Sequence, residues 1–229
     1  MQLDITKEEE WDAAISHIKA KSRHLWGLVN NAGWSTFGDI EFTPMKTYRK
    51  ITEINFFGLI QAVQKSAPLI RPAQGRIVTV TSGITRGVAP NRSAYCGTKM
   101  GGVGILECLR YELRRFGVQV SLIEPGNYLA GTALFNQKIV NNQAEEMWNQ
   151  MTDEVKAAYG QEYFNMRRDM MAVYQKNSIS DLTPVLESYT NALLDVWPQV
   201  RYQPMTVFWK VRAFVSTHLP EFFFEWYYT

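Results

Sequence analysis

Histidine, cysteine and long apolar runs are all scarce in this 229-residue sequence, and each scarcity closes a class of function. The two cysteines, Cys96 and Cys108, offer neither a disulfide framework nor a thiolate zinc site. The three histidines, His17, His24 and His218, fall at no metal-ligand spacing. No uncharged stretch approaches the roughly 18 residues that span a bilayer. Charge leans neither way: 24 Lys and Arg against 22 Asp and Glu leave +2, without the basic footprint of a nucleic-acid binder. Glycine-rich phosphate turns are missing too, whether Gly-x-Gly-x-x-Gly or Gly-x-x-x-x-Gly-Lys-Ser/Thr. Gly101, Gly102 and Gly104 follow no strand and sit inside a helical pattern. The first residues read as neither a secretory signal nor a transit peptide.

What is there, at 46% hydrophobic, is material for a packed core. Leu3-Asp4-Ile5-Thr6 reads as the tail of a strand, and residues 7–22 as a helix. Glu8, Glu9 and Glu10 fall in its first turn and Lys19 and Lys21 near its end, as the helix dipole favours. Residues 25–29 form a short apolar run entering Asn30-Asn31-Ala32-Gly33, a buried strand leading into a loop. A helical pattern covers 44–70, opened by Pro44. The β-branched run at 77–81 predicts a second strand, residues 92–116 a helix stopped by Gly117, and residues 118–123 a third strand. Strands alternating with helices at this spacing imply crossover units and a parallel, doubly wound α/β sheet. Ligands of such sheets bind beyond the carboxyl ends of the strands, which gathers the segments after Val29, Thr81 and Ile123 around one cleft. Residues 136–176 read as a polar helical insertion over that cleft. Residues 136–229 together read as a helical substrate lid with an aromatic end, within one domain covering 1–229. A sheet that opens on a strand remnant lacks its first βαβ portion, so the chain reads as truncated at its N-terminus.

The sharpest chemistry lies in Ser82, Tyr95 and Lys99. Tyr95 and Lys99 are four apart at the start of a helix, so both project from one face. A tyrosine acting as a base near neutrality needs its phenolate favoured by about 4 kcal/mol relative to the free side chain. A lysine one turn away acts in that direction. Ser82 ends a buried strand, where its hydroxyl can enter the cleft and polarise a substrate oxygen.

Asn30-Asn31-Ala32-Gly33, Asn55 within Ile54-Asn55-Phe56-Phe57-Gly58, Ser82, Tyr95, Lys99 and Pro125-Gly126 stand in an order and spacing that resembles the short-chain dehydrogenase/reductase family. The resemblance implies a Rossmann-like fold and NAD as cofactor. It implies Tyr95 as general acid/base, Lys99 as the residue that assists it and holds the nicotinamide ribose, and Ser82, with Tyr95, as the substrate-orienting pair. Asn55 would kink its helix to seat a water of the proton relay. Asn30, Ala32, Gly33, Pro125, Gly126 and Thr132 would line the cofactor, with Asp4 touching the adenine. The family often has a threonine four residues past Pro-Gly; that place is Ala130 here, with Thr132 two residues later.

Further stretches, among them Leu25-Trp26-Gly27-Leu28-Val29, Cys108-Leu109-Arg110-Tyr111-Glu112 and Thr217-His218-Leu219-Pro220, resemble the branch that converts (R)-3-hydroxybutanoate to acetoacetate. That likeness implies a small hydroxy or keto acid substrate, a homo-oligomer, a mitochondrial location and contact with phosphatidylcholine. Retinol and hydroxysteroid dehydrogenases share several of these motifs, and a non-catalytic fragment is the rival from another class. The aromatic stretch Phe222-Phe223-Phe224-Glu225-Trp226-Tyr227-Tyr228 reads equally as a lipid contact or as packing over a lid or subunit interface. Cys96 points about 100° away from Tyr95 on a helix and reads as a packing residue. Among Arg71, Arg76 and Arg86, Arg71 reads as solvated charge, while Arg86, just after Ser82, is open to a substrate carboxylate.

Overall fold

The computed structural model describes residues 1–132 and 134–225. Four parallel strands, β1 (Gly27–Asn30), β2 (Arg76–Val80), β3 (Gln119–Ile123) and β4 (Arg201–Tyr202), form one sheet in the order β1-β2-β3-β4. The β-branched run of β2 pairs with both neighbours: Leu28 is level with Ile77, and Ile77 with Val120. Because side chains alternate across a strand, consecutive residues serve opposite faces. Ile77 and Leu122 join Leu59, Val63, Ile70, Leu106 and Leu113 on one side. Val78 and Ile123 meet Ala192 and Tyr202 on the other. The first face is covered by α3 (Gly58–Ile70) and α4 (Ser93–Arg114), the second by α7 (Thr183–Leu194), so the sheet is wound on both sides. This is the α/β arrangement expected from the alternation of elements.

Two sequence expectations are corrected. Residues 3–6 form no strand, for among the described residues no strand lies beside them to pair with; the Asp4 carboxylate instead accepts the Thr6 N–H at 3.0 Å and its hydroxyl at 2.8 Å. That turn leads into α1 (Glu8–Lys21), which packs on α3. The continuous helix expected over 44–70 is broken into α2 (Met45–Thr52) and α3 by a π turn at Glu53–Phe57, where the Gly58 N–H reaches back to the Glu53 carbonyl.

Residues 136–176 do form helices, α5 (Gln137–Gln150) and α6 (Asp153–Lys176), but they are not simply polar. Phe135, Val140, Met147, Phe164 and Met171 enclose Phe37 and Phe42 in a second apolar cluster. After β4 come α8 (Val207–His218) and the five-residue α9 (Glu221–Glu225), whose described apolar residues Val207, Phe208, Val211, Phe214 and Phe222 are exposed. The rest of the aromatic stretch, Trp226, Tyr227 and Tyr228, lies outside the described residues. Among the described residues no helix is long and apolar enough to cross a membrane.

Candidate active site

At the carboxyl ends of β1, β2 and β3 the chain leaves a cavity of about 960 Å³. Ser82 stands two residues past β2. Its hydroxyl oxygen accepts the Ile84 N–H at 3.3 Å and so caps the short turn Gly83–Arg86, leaving the hydroxyl proton free to donate. The turn is tied to the next strand end by Thr81 N to the Ile123 carbonyl and Gly83 N to the Pro125 carbonyl, both 2.8 Å. Tyr95 and Lys99 project from the first two turns of α4 into the same cavity, as their spacing predicts. The Lys99 ammonium, buried, donates to the Val80 carbonyl at 3.0 Å and stands 5.9 Å from the centre of the Tyr95 ring. The Tyr95 hydroxyl has no hydrogen-bond partner among the described residues and faces open space.

Asn55 sits in the π turn, buried behind this group. Its Oδ1 accepts the Trp34 N–H at 2.8 Å, and its Nδ2 donates to the Trp34 carbonyl at 2.9 Å and to Thr98 Oγ1 at 3.2 Å. Both Nδ2 protons are thus used, so any part of Asn55 in proton transfer runs through the backbone of its turn. The clamp draws the loop after β1 against α4: a Cβ on Gly33 would lie 3.4 Å from Asn55 Oδ1 and 3.7 Å from Lys99 Nζ.

The cofactor residues expected from the sequence divide in two. Ala32, Gly33, Pro125, Gly126 and Thr132 line the cavity. Asn30 does not: as the last residue of β1 it turns its amide to Thr79 Oγ1 at 3.3 Å. Its neighbour Asn31 faces the cavity instead and accepts the Tyr189 hydroxyl at 2.6 Å. Asp4 lies apart from the cavity, its carboxylate held by Thr6. Backbone approaches closely at Gly126, where a Cβ would stand 2.9 Å from Met205 Cβ. The nicotinamide-ribose end of a dinucleotide fits these residues, with Lys99 and the Ala32–Gly33 backbone on one wall and Pro125–Gly126 on another. The pyrophosphate has no glycine-rich helix start in this sequence to receive it.

Arginines behave differently from the sequence reading. Arg86 is not open to a substrate: Glu124, wholly buried, takes its Nε at 2.9 Å and its Nη2 at 3.0 Å. Arg201 Nη1, at 2.5 Å, and Gln203 Nε2, at 2.8 Å, complete the carboxylate's partners. Arg71 stays at the surface, over the Phe116 ring. Arg92, which the sequence did not single out, does face the cavity, as do Arg212 and Trp34. The signal was available in its place three residues before Tyr95. Burial pushes the Cys96 thiol up from its ordinary value, so the sulfur stays protonated and serves packing.

The short chain dehydrogenase family model matches residues 1–144. Mitochondrial D-beta-hydroxybutyrate dehydrogenase of Rattus norvegicus is 39% identical over 96% of the chain, and the chain spans 65% of that relative's length. The 17-beta-hydroxysteroid dehydrogenase type 6 of Bos taurus is 36% identical over 87% of the chain and 63% of its own length. Among solved structures, a short chain dehydrogenase from Burkholderia cenocepacia in complex with NADP is 26% identical, with a TM-score of 0.51 over 55% of this chain and 52% of that one. With the parallel sheet and the family model covering well over half of the residues, the chain belongs to the short chain dehydrogenase family.

Proposed function

We propose that this chain carries the catalytic part of a nicotinamide-dependent dehydrogenase that interconverts (R)-3-hydroxybutanoate and acetoacetate. The observation that carries the reading is the convergence of Ser82, Tyr95 and Lys99 on one cavity with the Tyr95 hydroxyl unpartnered. In the oxidising direction Ser82 donates to the substrate oxygen and holds it against Tyr95. Tyr95, as phenolate, takes the O–H proton while a hydride leaves the same carbon, and the C–O bond becomes a carbonyl. The oxidised nicotinamide ring, when bound, supplies the acceptor for that hydride. Lys99 stabilises the negative charge on the Tyr95 oxygen, and Asn55 fixes the loop and helix that place both. NAD is the proposed cofactor, after the hydroxybutyrate-oxidising branch the sequence resembles.

A mitochondrial location is proposed with the substrate, on the strength of the same relative. The exposed face of α8 and α9 supports the phosphatidylcholine contact proposed with it, and a homo-oligomer completes the assignment. A hydroxysteroid is the second reading, favoured by the width of the cavity and by aliphatic walls such as Leu134, Ile139, Leu182 and Val185.

The test is turnover of (R)-3-hydroxybutanoate against a 17β-hydroxysteroid by the chain and its Tyr95→Phe variant, with NADH binding followed by energy transfer from tryptophan. Tyr95→Phe is expected to abolish turnover and leave NADH affinity nearly intact. Retained turnover removes Tyr95 from the chemistry, and preference for the steroid selects the second reading.

A further inference from the structure

The turn that carries Ser82 is wired internally for only part of its length. The Ser82 carbonyl accepts the Thr85 N–H at 3.1 Å, and the Ile84 carbonyl accepts the Gly87 N–H at 3.3 Å. The carbonyls of Arg86, Gly87 and Val88 come after those bonds, and all three find donors on α8, about 130 residues away. Ser216 Oγ donates to the Arg86 carbonyl, with the Ala213 carbonyl at 3.1 Å as a second acceptor. Arg212 Nη1 donates to the Gly87 carbonyl at 3.4 Å and Arg212 Nη2 to the Val88 carbonyl at 3.1 Å. Trp209, Arg212 and Ser216 stand three and four apart, so one face of α8 presents them together. The Arg212 guanidinium lies 5.1 Å from the Trp209 ring, and Trp209 in turn reaches the Pro125-Gly126 turn, where a Cβ on Gly126 would stand 3.7 Å from its Cδ1.

No residue of α8 is itself buried, and Val207, Phe208, Val211 and Phe214 on its other face are exposed. The helix is therefore joined to the site through its inner face, and what that face grips is the backbone just past Ser82. We infer that Arg212 and Ser216 are positioning residues for the proposed dehydrogenase reaction: they hold residues 86–88 and so keep the Ser82 hydroxyl aimed into the cavity. The guanidinium bonds are charge-assisted and meet two successive carbonyls with a rigid fork, which the point charge of a lysine reproduces only in part. Loosening the clamp lowers the fraction of molecules with Ser82 in place. Substrate then binds more weakly by that fraction, while saturating substrate restores the closed turn, so KM rises and kcat changes little. A purely structural role would reduce the amount of active protein instead, lowering kcat with KM unmoved. Arg212 lines the cavity and Ser216 does not, so a matching effect at both positions can only run through the turn.

The inference rests on the proposed reaction, but the clamp is tested without it, by amide hydrogen exchange of the unaltered chain, Arg212→Gln, Arg212→Lys and Ser216→Ala. The Thr85 and Gly87 amides should exchange at least about threefold faster in Arg212→Gln and Ser216→Ala, with those of β2 and β3 unchanged. Unchanged β2 and β3 amides also show that a variant has folded. Kinetics with (R)-3-hydroxybutanoate and NAD then test the positioning. KM should rise about tenfold in Arg212→Gln and about threefold in Ser216→Ala, the losses expected for a charge-assisted and a neutral bond, with kcat within about twofold. Arg212→Lys should fall between the unaltered chain and Arg212→Gln. Unchanged exchange at Thr85 and Gly87 in both variants would overturn the clamp. A KM that stays put in both would overturn the positioning role, and a KM that rises in Arg212→Gln alone would put the guanidinium on the substrate itself. No turnover by the unaltered chain would remove the proposed reaction and the positioning role with it, leaving the clamp to stand or fall by the exchange rates.

Discussion

Removing the Glu124 carboxylate tests how the site is held together. Glu124 is wholly buried immediately before Pro125-Gly126, and it joins three segments: Arg86 at the end of the Ser82 turn, Arg201 in β4, and Gln203 beyond it. Arg201 also reaches Glu107 on α4, so the network extends to the helix that carries Tyr95 and Lys99. Glu124→Ala deletes the acceptor of four hydrogen bonds and leaves two guanidinium groups facing a cavity. Breaking a buried pair from one side costs about 3 to 5 kcal/mol, because the orphaned charge is worse than the lost attraction. The Arg86 and Arg201 side chains retain 27% and 26% exposure, so water can reach them, which places the expected loss near the lower end, about 3 kcal/mol. At roughly 2 to 4 °C per kcal/mol for a chain of this size, Tm should fall by about 6 to 12 °C. Glu124→Gln keeps the volume and some of the acceptor geometry, and should lose about half as much.

The assay is urea unfolding followed by tryptophan fluorescence, with turnover measured on the same preparations well below the transition. Because Arg86 closes the turn that Ser82 opens, KM should rise in both variants in proportion to their stability loss. A Glu124→Ala variant within 1 kcal/mol of the unaltered chain would refute the reasoning. It would mean that Arg86 and Arg201 are fully satisfied by solvent and that the three segments are held by their backbone hydrogen bonds alone.

Burial raises the Tyr189 hydroxyl to about 12, above the value of about 10 in an unfolded chain. The contribution of its neutral form is complete below pH 10 and declines as pH rises from 10 to 12, so thermal melts across that window should show a fall that is smaller in Tyr189→Phe. Gly38 adopts φ +126°, and a Cβ there would lie 2.4 Å from Thr43 Oγ1 and 2.9 Å from Met147 Sδ. Gly38→Ala should therefore cost at least about 2 kcal/mol in urea unfolding, from backbone strain and crowding together, and a neutral result would show that the loop relaxes. Asn55→Ala leaves the Trp34 N–H and carbonyl without their partner, and should cost about 2 kcal/mol or more with loss of turnover. Asn55→Ala with full activity would remove the clamp from the account of the site.

Much of this fold is written locally. The β-branched run of β2, the Gly117 stop after α4 and the acid-to-base gradient of α1 each act within one turn or strand of the residue concerned, and each element appears within a few residues of its predicted place. The Tyr95–Lys99 pair is legible for the same reason, since four residues on a helix fix a shared face whatever else happens. Residues 3–6 failed because a strand needs a partner, and β-propensity in a short segment says nothing about whether one is there. The π turn at Glu53–Phe57 is likewise hard to read from periodicity, because its five residues hold too few apolar positions to tell a wider turn from the 3.6-residue repeat.

The arginines mark where local reading ends. Seen in sequence, Arg86 had the better claim on a substrate, since it lies four residues past Ser82 in a loop at a strand end. Arg92 stands only as the first residue of a predicted helix. Pairing sets them apart. Glu124, distant in sequence but adjacent across the sheet, takes the charge of Arg86, whereas among the described residues no carboxylate pairs with Arg92. Arg86 thereby becomes part of the scaffold that positions Ser82, and Arg92 keeps its cation beside Tyr95. A single carboxylate at the end of β3 thus makes the Arg86 guanidinium structural. Removing that charge should loosen it: in Glu124→Gln, Arg86 becomes a weakly held cation at the end of the turn that Ser82 caps. Acetoacetate titrated calorimetrically into Glu124→Gln with NADH present should then show a weak site that the unaltered chain lacks. No added site in that variant would show that the geometry of the turn, and not the pairing of charge, keeps Arg86 away from ligands.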